Sequence, residues 1–294
     1  MPLPLCSVII VSFNSGETLR TCVRAVLTST VPLEVLISDN ASSDGSLDAL
    51  CEEWDGDPRV RVRKNHANLG FAAACNRVLP DTAADWILFL NPDCIVAPDT
   101  VARMLEVTDR NPDVGMAGCL LRNPDGSEQA GCRRREPTPW RSLARVLHLR
   151  RLSPNDPRLA DFNLTGSPLP AEPVVVDAIS GAFMLVNRDA LAVVGPLDEG
   201  YFLHCEDLDW CRRFRDHGFE VLFVPGVEVT HIKGVSSRGS PIRVEWHKHR
   251  GMLRYYRKHY RQTYARPSLW LVHAGVWGRF ALVALGLSLR RLWP

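Results

Sequence analysis

Short apolar strands alternate with helical patterns through the first third of the chain, and this alternation most restricts the fold. Residues 7–12 (SVIIVS) are a β-branched run, and a helical pattern of apolar residues follows over 19–27. The unit repeats, with strand patterns at 33–38, 60–62 and 85–90. Strands that alternate with helices predict an α/β fold in which a mostly parallel, Rossmann-like sheet carries helices on both faces.

Polar residues follow each of these four strand patterns directly. They are Phe13-Asn14, Asp39-Asn40, Asn68-Leu69-Gly70 and Asn91-Pro92-Asp93. Ligands of open α/β sheets bind where the carboxyl ends of the strands meet the loops. The four clusters therefore predict one ligand crevice.

Asp93 is a candidate metal ligand because it follows a nearly continuous apolar strand at the mouth of that crevice. A hard divalent cation that bridges two phosphates takes oxygen ligands, typically one or two carboxylates. The alternative is a turn whose aspartate caps the helix that begins near Pro98.

Composition indicates a globular intracellular protein. With 294 residues, 46% of them hydrophobic, the chain can bury one large core, with or without an appendage. Nine cysteines without a C-x-x-C pair favour a reducing compartment, and the N-terminus lacks the basic region of a secretory signal. We expect a cytoplasmic protein. A formal charge of +2 gives no reason to expect nucleic acid as a partner.

The second half of the chain is less regular. Residues 122–172 are rich in Pro, Arg and Gly, which predicts a long insertion or acceptor-side lid with a short helix near 140–149. A strand pattern at 220–224 ends before Pro225. We predict a catalytic domain over 1–240 and a basic, aromatic, helical C-terminal region over 241–294.

Seven segments, taken in order, resemble the motifs of the inverting glycosyltransferases of family 2, particularly the rhamnosyltransferase-like branch. They are SVIIVSFN, DNASSDGS, NLGFAAACN, LFLNPDC, ISGAFMLVNRDAL, LHCEDLDWCRR and VTHIKG. The resemblance covers about residues 6–235. It implies a GT-A fold, a nucleoside-diphosphate-sugar donor, a Mg²⁺ or Mn²⁺ ion and a single displacement.

The resemblance also implies the positions that contact the donor. They are Ser12, Phe13, Asn14, Asp39, Asn40, Asn68, Gly70, Ala73, Asn76, Asn91, Asp93 and Lys233. Asp39 would accept a charge-assisted hydrogen bond from the imide N–H of a pyrimidine. The alternative is an Asx turn formed by Asp39 and Asn40.

For the metal, the resemblance points to Asp93 and His231. The strand-end motif of such enzymes is often Asp-x-Asp, whereas here Asn91 takes the first position and leaves Asp93 as its carboxylate. Imidazole suits Mn²⁺ better than Mg²⁺. The alternative for His231 is a structural histidine.

The proposed catalytic base is Asp207, in a helix predicted over about 206–217. An inverting transfer needs a base that takes the proton of the acceptor hydroxyl. Helical spacing places Asp207 on one inward-facing stripe with Trp210, Cys211 and Phe214. It places Glu206 and Asp209 on a stripe that we predict to be solvated. The Glu-Asp motif of the family puts the base at the same residue. The alternative is that these carboxylates only complement the helix dipole.

Three further residues are candidates for the acceptor side: Gly181, Glu206 and Trp210. Small residues around Gly181 would leave room for a sugar. Trp210 would stack on that sugar, or else it is a buried core residue.

The C-terminal region combines basic and aromatic residues over 243–261 with a largely apolar stretch over 269–289. Arg279 near the centre of that stretch would cost roughly 2.5–3.5 kcal/mol in a membrane span. We therefore expect attachment to the cytoplasmic face of the inner membrane rather than a span. The alternative is a helix packed on the catalytic domain.

The resemblance implies transfer of a sugar to a hydroxyl of a lipid-linked or cell-envelope glycan. The resemblance favours thymidine-diphosphate rhamnose as donor, with UDP sugars next. A dehydrogenase would need G-x-G-x-x-G after the first strand, and a nucleotidyltransferase would need a Gly-rich basic loop there; neither is present. A non-catalytic nucleotide-sugar binding protein stays open as an alternative.

Overall fold

The structure is a computed structural model that describes residues 4–146, 161–232, 234 and 240–292. The strands within these ranges are β1 (Cys6–Ser12), β2 (Leu33–Asp39), β3 (Val60–Lys64), β4 (Trp86–Leu90), β5 (Cys94–Ile95), β6 (Val114–Arg122), β7 (Arg133–Arg134), β8 (Val174–Val175), β9 (Ala178–Ile179), β10 (Phe183–Asn187) and β11 (Glu220–His231). The α-helices are α1 (Gly16–Leu27), α2 (Ser46–Glu53), α3 (Phe71–Val78), α4 (Thr100–Asp109), α5 (Pro139–Val146), α6 (Arg188–Val194), α7 (Glu206–Asp216), α8 (Pro241–Tyr260) and α9 (Arg266–Leu292). Short 3₁₀ turns occur at Leu79–Asp81 and Leu164–Gly166.

The main sheet has the strand order β3-β2-β1-β4-β10-β6-β11-β5, with β8 paired to β11. Strands β1 to β4 are mutually parallel, and β6 and β11 are parallel to each other. Strand β10 is antiparallel to both of its neighbours, β4 and β6. The predicted α/β class with a mostly parallel sheet is confirmed.

Central strands of this sheet are apolar because helices cover both of its faces. Along β4, every residue after Trp86 is buried, and β1 is buried over its whole length. Strand β6 is almost as apolar and lies in the middle of the sheet, but the alternation described above does not include it.

Strand β11 is longer than the pattern at 220–224 predicts, and this matters for the site. Pro225 and Gly226 do not end the strand, because a shift in register between Val224 and Glu228 absorbs them as a bulge. Arg103 donates to the carbonyl of Gly226 (2.6 Å). The strand then continues to His231, which pairs with Cys94 of β5.

The insertion and helix α8 both pack on α7, and α9 packs on α8. In the insertion, β7 pairs with β9 and α5 packs against α9; residues 147–160, which include the end of the helix predicted near 140–149, lie outside the described residues. Helix α8 buries Tyr255, Tyr256 and Tyr260 in the main core. The predicted C-terminal helices are therefore confirmed, and the domain boundary at 240/241 stays a prediction.

Candidate active site

The loop after β2 places Asp39 at the floor of the crevice. Its Oδ2 accepts a hydrogen bond from the backbone N–H of Ser42 (2.9 Å), and its Oδ1 accepts one from the Ser42 hydroxyl (2.6 Å). Asp39 also lines a small cleft with Lys64 and Asn65. The bond from the Ser42 N–H reaches three residues along the chain, whereas the Asx turn of Asp39 and Asn40, the alternative interpretation, would reach two. Each carboxylate oxygen keeps a further lone pair, so contact with a pyrimidine stays a prediction.

The loop after β1 is tied to the same turn. Asn14 lies in the left-handed region (φ 48°), which asparagine tolerates, and its Oδ1 accepts from the Ser43 backbone N–H (2.8 Å). Its own N–H donates to the Ser42 hydroxyl (3.0 Å). Buried Ser12 lies 3.3 Å from the Ser15 hydroxyl, oxygen to oxygen, and Phe13 is half-buried beside them. Two strand-end loops thus form one continuous rim.

Asn40 and Asn68 shape the next part of this rim. The Oδ1 atom of buried Asn40 accepts from Asn65 Nδ2 (3.1 Å), and its Nδ2 donates to the Gly70 carbonyl (3.1 Å). Asn68 Oδ1 accepts from the Gly70 N–H (3.0 Å), and Ala73 is half-buried on α3. These side chains fix the start of α3.

Gly70 and Asn76 contact protein rather than open space. A Cβ atom added at Gly70 would lie 2.4 Å from the carbonyl oxygen of Phe202, so only glycine fits, and its φ of +85° also requires glycine. Asn76 Nδ2 donates to the Leu197 carbonyl (2.8 Å) and to Glu199 Oε1 (3.0 Å). The two residues predicted to contact the sugar donor therefore contact the segment of the protein that leads into α7.

Asp93 and His231 meet at the end of β11. His231 Nε2 lies 3.0 Å from Asp93 Oδ1, and Asn91 Nδ2 lies 3.3 Å from the same nitrogen. Asp93, Cys94 and His231 form the cluster of potential metal ligands in the described part of the chain. The Cys94 thiol donates to the Ala182 carbonyl (3.5 Å), and burial raises its pKa well above the usual range, so the thiol is the poorest ligand of the three.

Gln129 sets the tautomer of His231. Its amide N–H groups donate to Asn123 Oδ1 (2.9 Å) and to the His231 carbonyl (3.1 Å), so Gln129 Oε1 is left to accept from His231 Nδ1 (2.6 Å). A neutral imidazole then directs the Nε2 lone pair toward Asp93. Two electron-pair donors 3.0 Å apart need a cation or a proton between them, so this donor set fits a divalent metal. Lys233 lies outside the described residues.

Asp207 lies in the first turn of α7, where the helix dipole favours a negative charge. Its Oδ2 accepts from Arg134 Nη2 (2.6 Å) and from the Gly181 N–H (3.1 Å), and its Oδ1 accepts from the Leu208 N–H (2.8 Å). Burial alone would raise the pKa of Asp207, but the Arg134 guanidinium outweighs burial and lowers it. The carboxylate is therefore ionised at neutral pH.

A single dipeptide, Gly181–Ala182, connects the two centres. Gly181 donates to Asp207, while the Ala182 carbonyl accepts from the Asn91 N–H (2.9 Å). A Cβ added at Gly181 would lie 3.3 Å from Asp207 Cβ, so Asp207 fills the space that the sequence analysis assigned to a sugar. The base candidate and the metal candidates thus share one edge of the crevice.

Glu206 is buried beside Asp207 and behaves differently. Burial, followed by the charge of Asp207, raises the pKa of Glu206 to about 8. Its Oε2 finds no hydrogen-bond partner among the residues that the structure describes. Glu206 is therefore neutral beside an ionised Asp207, so these two neighbouring carboxyl groups differ in protonation state.

The solvated stripe predicted for Glu206 and Asp209 is wrong, since both are buried, and for Trp210 the alternative of a buried core residue is confirmed. Asp209 does not face solvent: it is fully buried, and it pairs with Arg213 (3.0 Å), Lys258 (2.8 Å) and His259 (2.8 Å), because α8 covers this side of α7. Trp210 offers no face to a sugar. It is fully buried, packs edge-on against Phe89 and donates from Nε1 to a backbone carbonyl (3.0 Å).

The sequence analysis missed Arg134, Gln129 and Glu136, all of which come from the insertion. Glu136 accepts from Arg215 (3.1 Å) and from Arg212 of α7, and from the hydroxyl of Tyr260. Arg134 contacts Asp207, which lies 73 positions later in the chain, and local sequence spacing gives no signal for such a pair.

With the geometry described, comparisons with known proteins identify the family. The sequence model described as glycosyl transferase family 2 matches residues 7–164, which is more than half of the chain. The chain belongs to glycosyltransferase family 2. The resemblance and the enzyme class predicted from sequence are confirmed.

The curated relatives include rhamnosyltransferases that align over most of both chains. An N-acetylglucosaminyl-diphospho-decaprenol L-rhamnosyltransferase of Mycobacterium tuberculosis (strain CDC 1551 / Oshkosh) is 30% identical over 246 residues, which is 80% of this chain and 78% of the relative. Rhamnosyltransferase WbbL of Escherichia coli (strain K12) is 25% identical over 241 residues, covering 76% of this chain and 82% of the relative.

Solved structures of two transferases have the same fold. The mannosyltransferase PcManGT from Pyrobaculum calidifontis, in complex with GDP-Man and Mn²⁺, superposes with a TM-score of 0.61 at 18% identity over 98% of this chain and 76% of that one. GalNAc-T7, with UDP, GalNAc and Mn²⁺, superposes with a TM-score of 0.62 at 20% identity, over 87% of this chain and 48% of that one. These likenesses confirm the GT-A fold of this glycosyltransferase.

Proposed function

We propose that this family 2 enzyme transfers rhamnose, with inversion, from thymidine-diphosphate rhamnose to a hydroxyl of a lipid-linked glycan. The observation that carries the proposal is the ionised Asp207, joined through Gly181–Ala182 to the Asn91–Asp93 loop. Rhamnosyltransferases among the relatives, one of them named for a diphospho-decaprenol acceptor, support the choice of donor and acceptor.

Asp207 acts as the general base. Its Oδ2 already accepts from Arg134 and Gly181. Among the residues that the structure describes, Oδ1 accepts only from the Leu208 N–H, so Oδ1 is the freer oxygen. As the acceptor hydroxyl attacks the anomeric carbon, its O–H bond breaks and the proton passes to Oδ1. The new C–O bond forms on one face of the sugar while the diphosphate leaves from the other, so the configuration inverts.

Arg134 keeps the base ionised and oriented but also weakens it, since a lowered pKa reduces the driving force for proton transfer. We infer that binding of the acceptor weakens the Arg134–Asp207 pair, which returns basicity to Asp207 when the hydroxyl is in place. Buried Glu206, neutral at pH 7, adds no second negative charge at this point.

Asp93 and His231 Nε2 are the residues that would hold a divalent metal, Mg²⁺ or Mn²⁺. Such an ion would neutralise charge on the donor diphosphate and on the leaving group. Gln129 would act as the outer partner that orients His231. On the other side of the crevice, Asp39 would select a pyrimidine base through the lone pairs that Ser42 leaves free.

A thermal-shift panel of nucleoside diphosphates and their sugars, with and without Mn²⁺, tests donor and metal together. At a hundredfold excess over Kd a ligand stabilises by about 2.7 kcal/mol, so we expect thymidine-diphosphate rhamnose with Mn²⁺ to raise Tm by about 5 °C. Asp93→Ala is expected to lose the Mn²⁺-dependent part of this shift, whereas the control Asp109→Ala, at an exposed site on α4, retains it.

Two results of that panel would contradict the proposal. A guanosine- or adenosine-diphosphate sugar that stabilises as well as the thymidine sugar would remove the selection of a pyrimidine that we propose for Asp39. A larger shift with UDP sugars would keep the transferase class and replace the donor.

We also propose that the enzyme works on the cytoplasmic face of the inner membrane, with α9 lying along the membrane surface. Pro267–Leu289 is long and apolar enough to cross a membrane. However, Val272 and Val276 on one side of α9 pack on the protein core, while Trp270 (77% exposed), Leu271 (68%) and Leu282 (72%) face outward. A helix with one side on its own protein and an apolar side exposed suits an interfacial position.

Flotation with liposomes tests this attachment. We expect the wild-type protein to float with phosphatidylcholine–phosphatidylglycerol vesicles, and L271Q/L282Q/L285Q to remain in the soluble fraction. The control L169Q/V175Q/V193Q changes exposed apolar residues away from α9 and should still float. Equal flotation of both triple variants would refute the role of α9.

A further inference from the structure

Helix α8 carries a basic stripe that the proposed reaction does not use. Arg243, His247 and Arg250 follow the spacing i, i+4, i+7 and therefore lie on one face of α8. We call these three residues the α8 basic stripe. Both arginines are exposed, and His247 is half-buried between them in sequence.

Aromatic rings hold the two guanidinium groups in place. The Arg243 guanidinium carbon lies 5.9 Å from the ring centroid of Phe202, and that of Arg250 lies 5.1 Å from the Trp246 ring. His247 stacks on Phe202 with 4.3 Å between the ring centroids and 21° between the planes. A stacked guanidinium keeps its N–H edge free for hydrogen bonds to an anion.

The charge of the stripe is not balanced by acidic partners. Three other basic residues of α8 are paired: Lys248 with Glu245 (3.2 Å), and Arg254 and Lys258 with Asp198 (2.8 Å each). Within residues 4–146, 161–232, 234 and 240–292, neither arginine of the stripe has an ion pair. Burial, then the charges of the two arginines, lower the pKa of His247.

The stripe lies between the catalytic helix and the helix proposed to lie at the membrane surface. Phe202 is four positions before Glu206, and its carbonyl accepts from the N–H of Phe71 at the start of α3 (2.8 Å). On the other side, His249 of α8 contacts the ring of Phe280 in α9 (5.5 Å between centroids). An acceptor with its hydroxyl at Asp207 and its lipid at α9 would cross this region.

We propose that the α8 basic stripe binds the diphosphate that joins the glycan to its lipid in the acceptor. This assignment rests on the proposed function, because it takes the acceptor to be lipid-linked. The two exposed guanidiniums lie about two helical turns apart on one face of α8, and arginine binds a phosphate group with paired hydrogen bonds.

The test measures binding of the full-length protein to phosphatidylcholine vesicles that contain undecaprenyl diphosphate. Reference vesicles carry phosphatidylglycerol at the same surface charge. We expect wild-type protein to bind the diphosphate vesicles at least tenfold more tightly than the reference vesicles. R243Q/R250Q is expected to lose this preference, with a roughly tenfold to hundredfold weaker affinity for the diphosphate vesicles, since charge-assisted hydrogen bonds are lost.

Two controls make the result specific. R59Q/R110Q removes the same charge at two exposed sites away from α8 and should keep the preference. R250Q leaves the stack on Phe202 intact and should lose roughly tenfold in affinity by itself. Equal binding of wild-type protein to both vesicle types would overturn the proposal, and so would an unchanged preference in either R243Q/R250Q or R250Q.

A separate readout distinguishes this proposal from the proposed function. The thermal shift with thymidine-diphosphate rhamnose and Mn²⁺ reports donor binding, and R243Q/R250Q should keep it. If wild-type protein lacks that shift but prefers diphosphate vesicles, the proposed donor is wrong and the stripe stands. If the shift is present and the preference absent, the stripe is refuted and the donor stands.

Discussion

The two sides of the crevice are built by different means. We call the side proposed to bind the nucleotide the nucleotide side. There, the loops that contain Asn14, Asp39 and Asn40 are held by short hydrogen bonds to the turn around Ser42 and to Asn65. The opposite side contains the proposed catalytic base Asp207, and we call it the base side. There, buried ions and phenol hydroxyls from the insertion, α7 and α8 meet around Asp207, Glu136 and Asp209. The nucleotide side therefore depends on local backbone geometry, and the base side depends on charges that are paired across distant segments.

This difference predicts that single substitutions destabilise the base side more than the nucleotide side. A buried ion that loses its partner leaves an uncompensated charge, whereas a lost neutral hydrogen bond in a turn is largely replaced by water. The four predictions below are ordered by their expected effect on the free energy of unfolding.

The largest effect is expected at Glu136. Its carboxylate is the anion that Arg212 and Arg215 share, and burial, which raises its pKa, is outweighed by these partners, so the pKa is lowered. Glu136→Gln should reduce the free energy of unfolding by about 3 kcal/mol, because two partly buried guanidiniums lose the buried carboxylate that they share and keep only the more exposed Asp216 and Asp177. Urea denaturation measures this. The control Glu17→Gln breaks an exposed pair with Arg20 and should cost below about 1 kcal/mol; equal losses would remove the contrast between buried and exposed pairs.

Glu206 gives the next effect, and it depends on pH. Between pH 4.5 and about 8, the unfolded chain has lost the proton that the folded protein keeps, so the raised pKa makes wild-type stability fall as pH rises through this window. Glu206→Gln cannot ionise. Its free energy of unfolding should therefore rise relative to that of wild type by up to about 1.4 kcal/mol per pH unit in this window. Solvent relaxation should limit the total rise to about 2 kcal/mol.

Urea midpoints measured from pH 5 to pH 8 check this prediction. The control Glu52→Gln, at an exposed site, should differ from wild type by a constant amount. A difference between Glu206→Gln and wild type that stays flat with pH would show that Glu206 ionises normally.

Gly251 tests the contact of α8 with the start of α7. An added Cβ would lie 2.9 Å from the carbonyl oxygen of His204, and His204 and Cys205 already have left-handed backbones (φ 67° and 71°). Gly251→Ala should destabilise by about 1–2 kcal/mol despite its better helix propensity, and should lower kcat. Gly278→Ala in α9 meets nothing within 4 Å and should be neutral or stabilising. A stable, fully active Gly251→Ala would mean that α8 does not position the catalytic helix.

The smallest effect is expected on the nucleotide side. Ser42→Ala removes the hydroxyl that donates to Asp39 and accepts from the N–H of Asn14, at a net cost of about 1 kcal/mol. The control Ser43→Ala, at an exposed site, should cost less. A loss from Ser42→Ala as large as that from Glu136→Gln would contradict the proposed contrast between the two sides.

The sequence predicts the nucleotide side better than the base side, for a physical reason. Alternating strands and helices are read from local apolar periodicity, and the polar residues after each strand follow from it. The periodicity of α7 correctly puts Cys211 and Phe214 inside. It cannot tell that α8 covers Asp209, because Lys258 and His259 come about fifty positions later.

Residues that act through distant partners leave no local signal. Arg134 is one arginine among several in 133–135, and only the pairing of β7 with β9 brings it to Asp207. Likewise, Pro225-Gly226 has the composition of a strand end, and only the bulge in β11 carries the chain on to His231.

The most direct test is transfer by Asp207→Asn, measured with thymidine-diphosphate rhamnose, Mn²⁺ and a lipid-linked acceptor. We predict a rate loss of about 10²–10⁴-fold, because the general base is gone, with an unchanged thermal shift from the donor. Asp189→Asn, an exposed aspartate on α6, should keep the wild-type rate. Transfer by Asp207→Asn at the wild-type rate, with donor binding intact, would contradict Asp207 as the base and with it the division of the crevice into a nucleotide side and a base side.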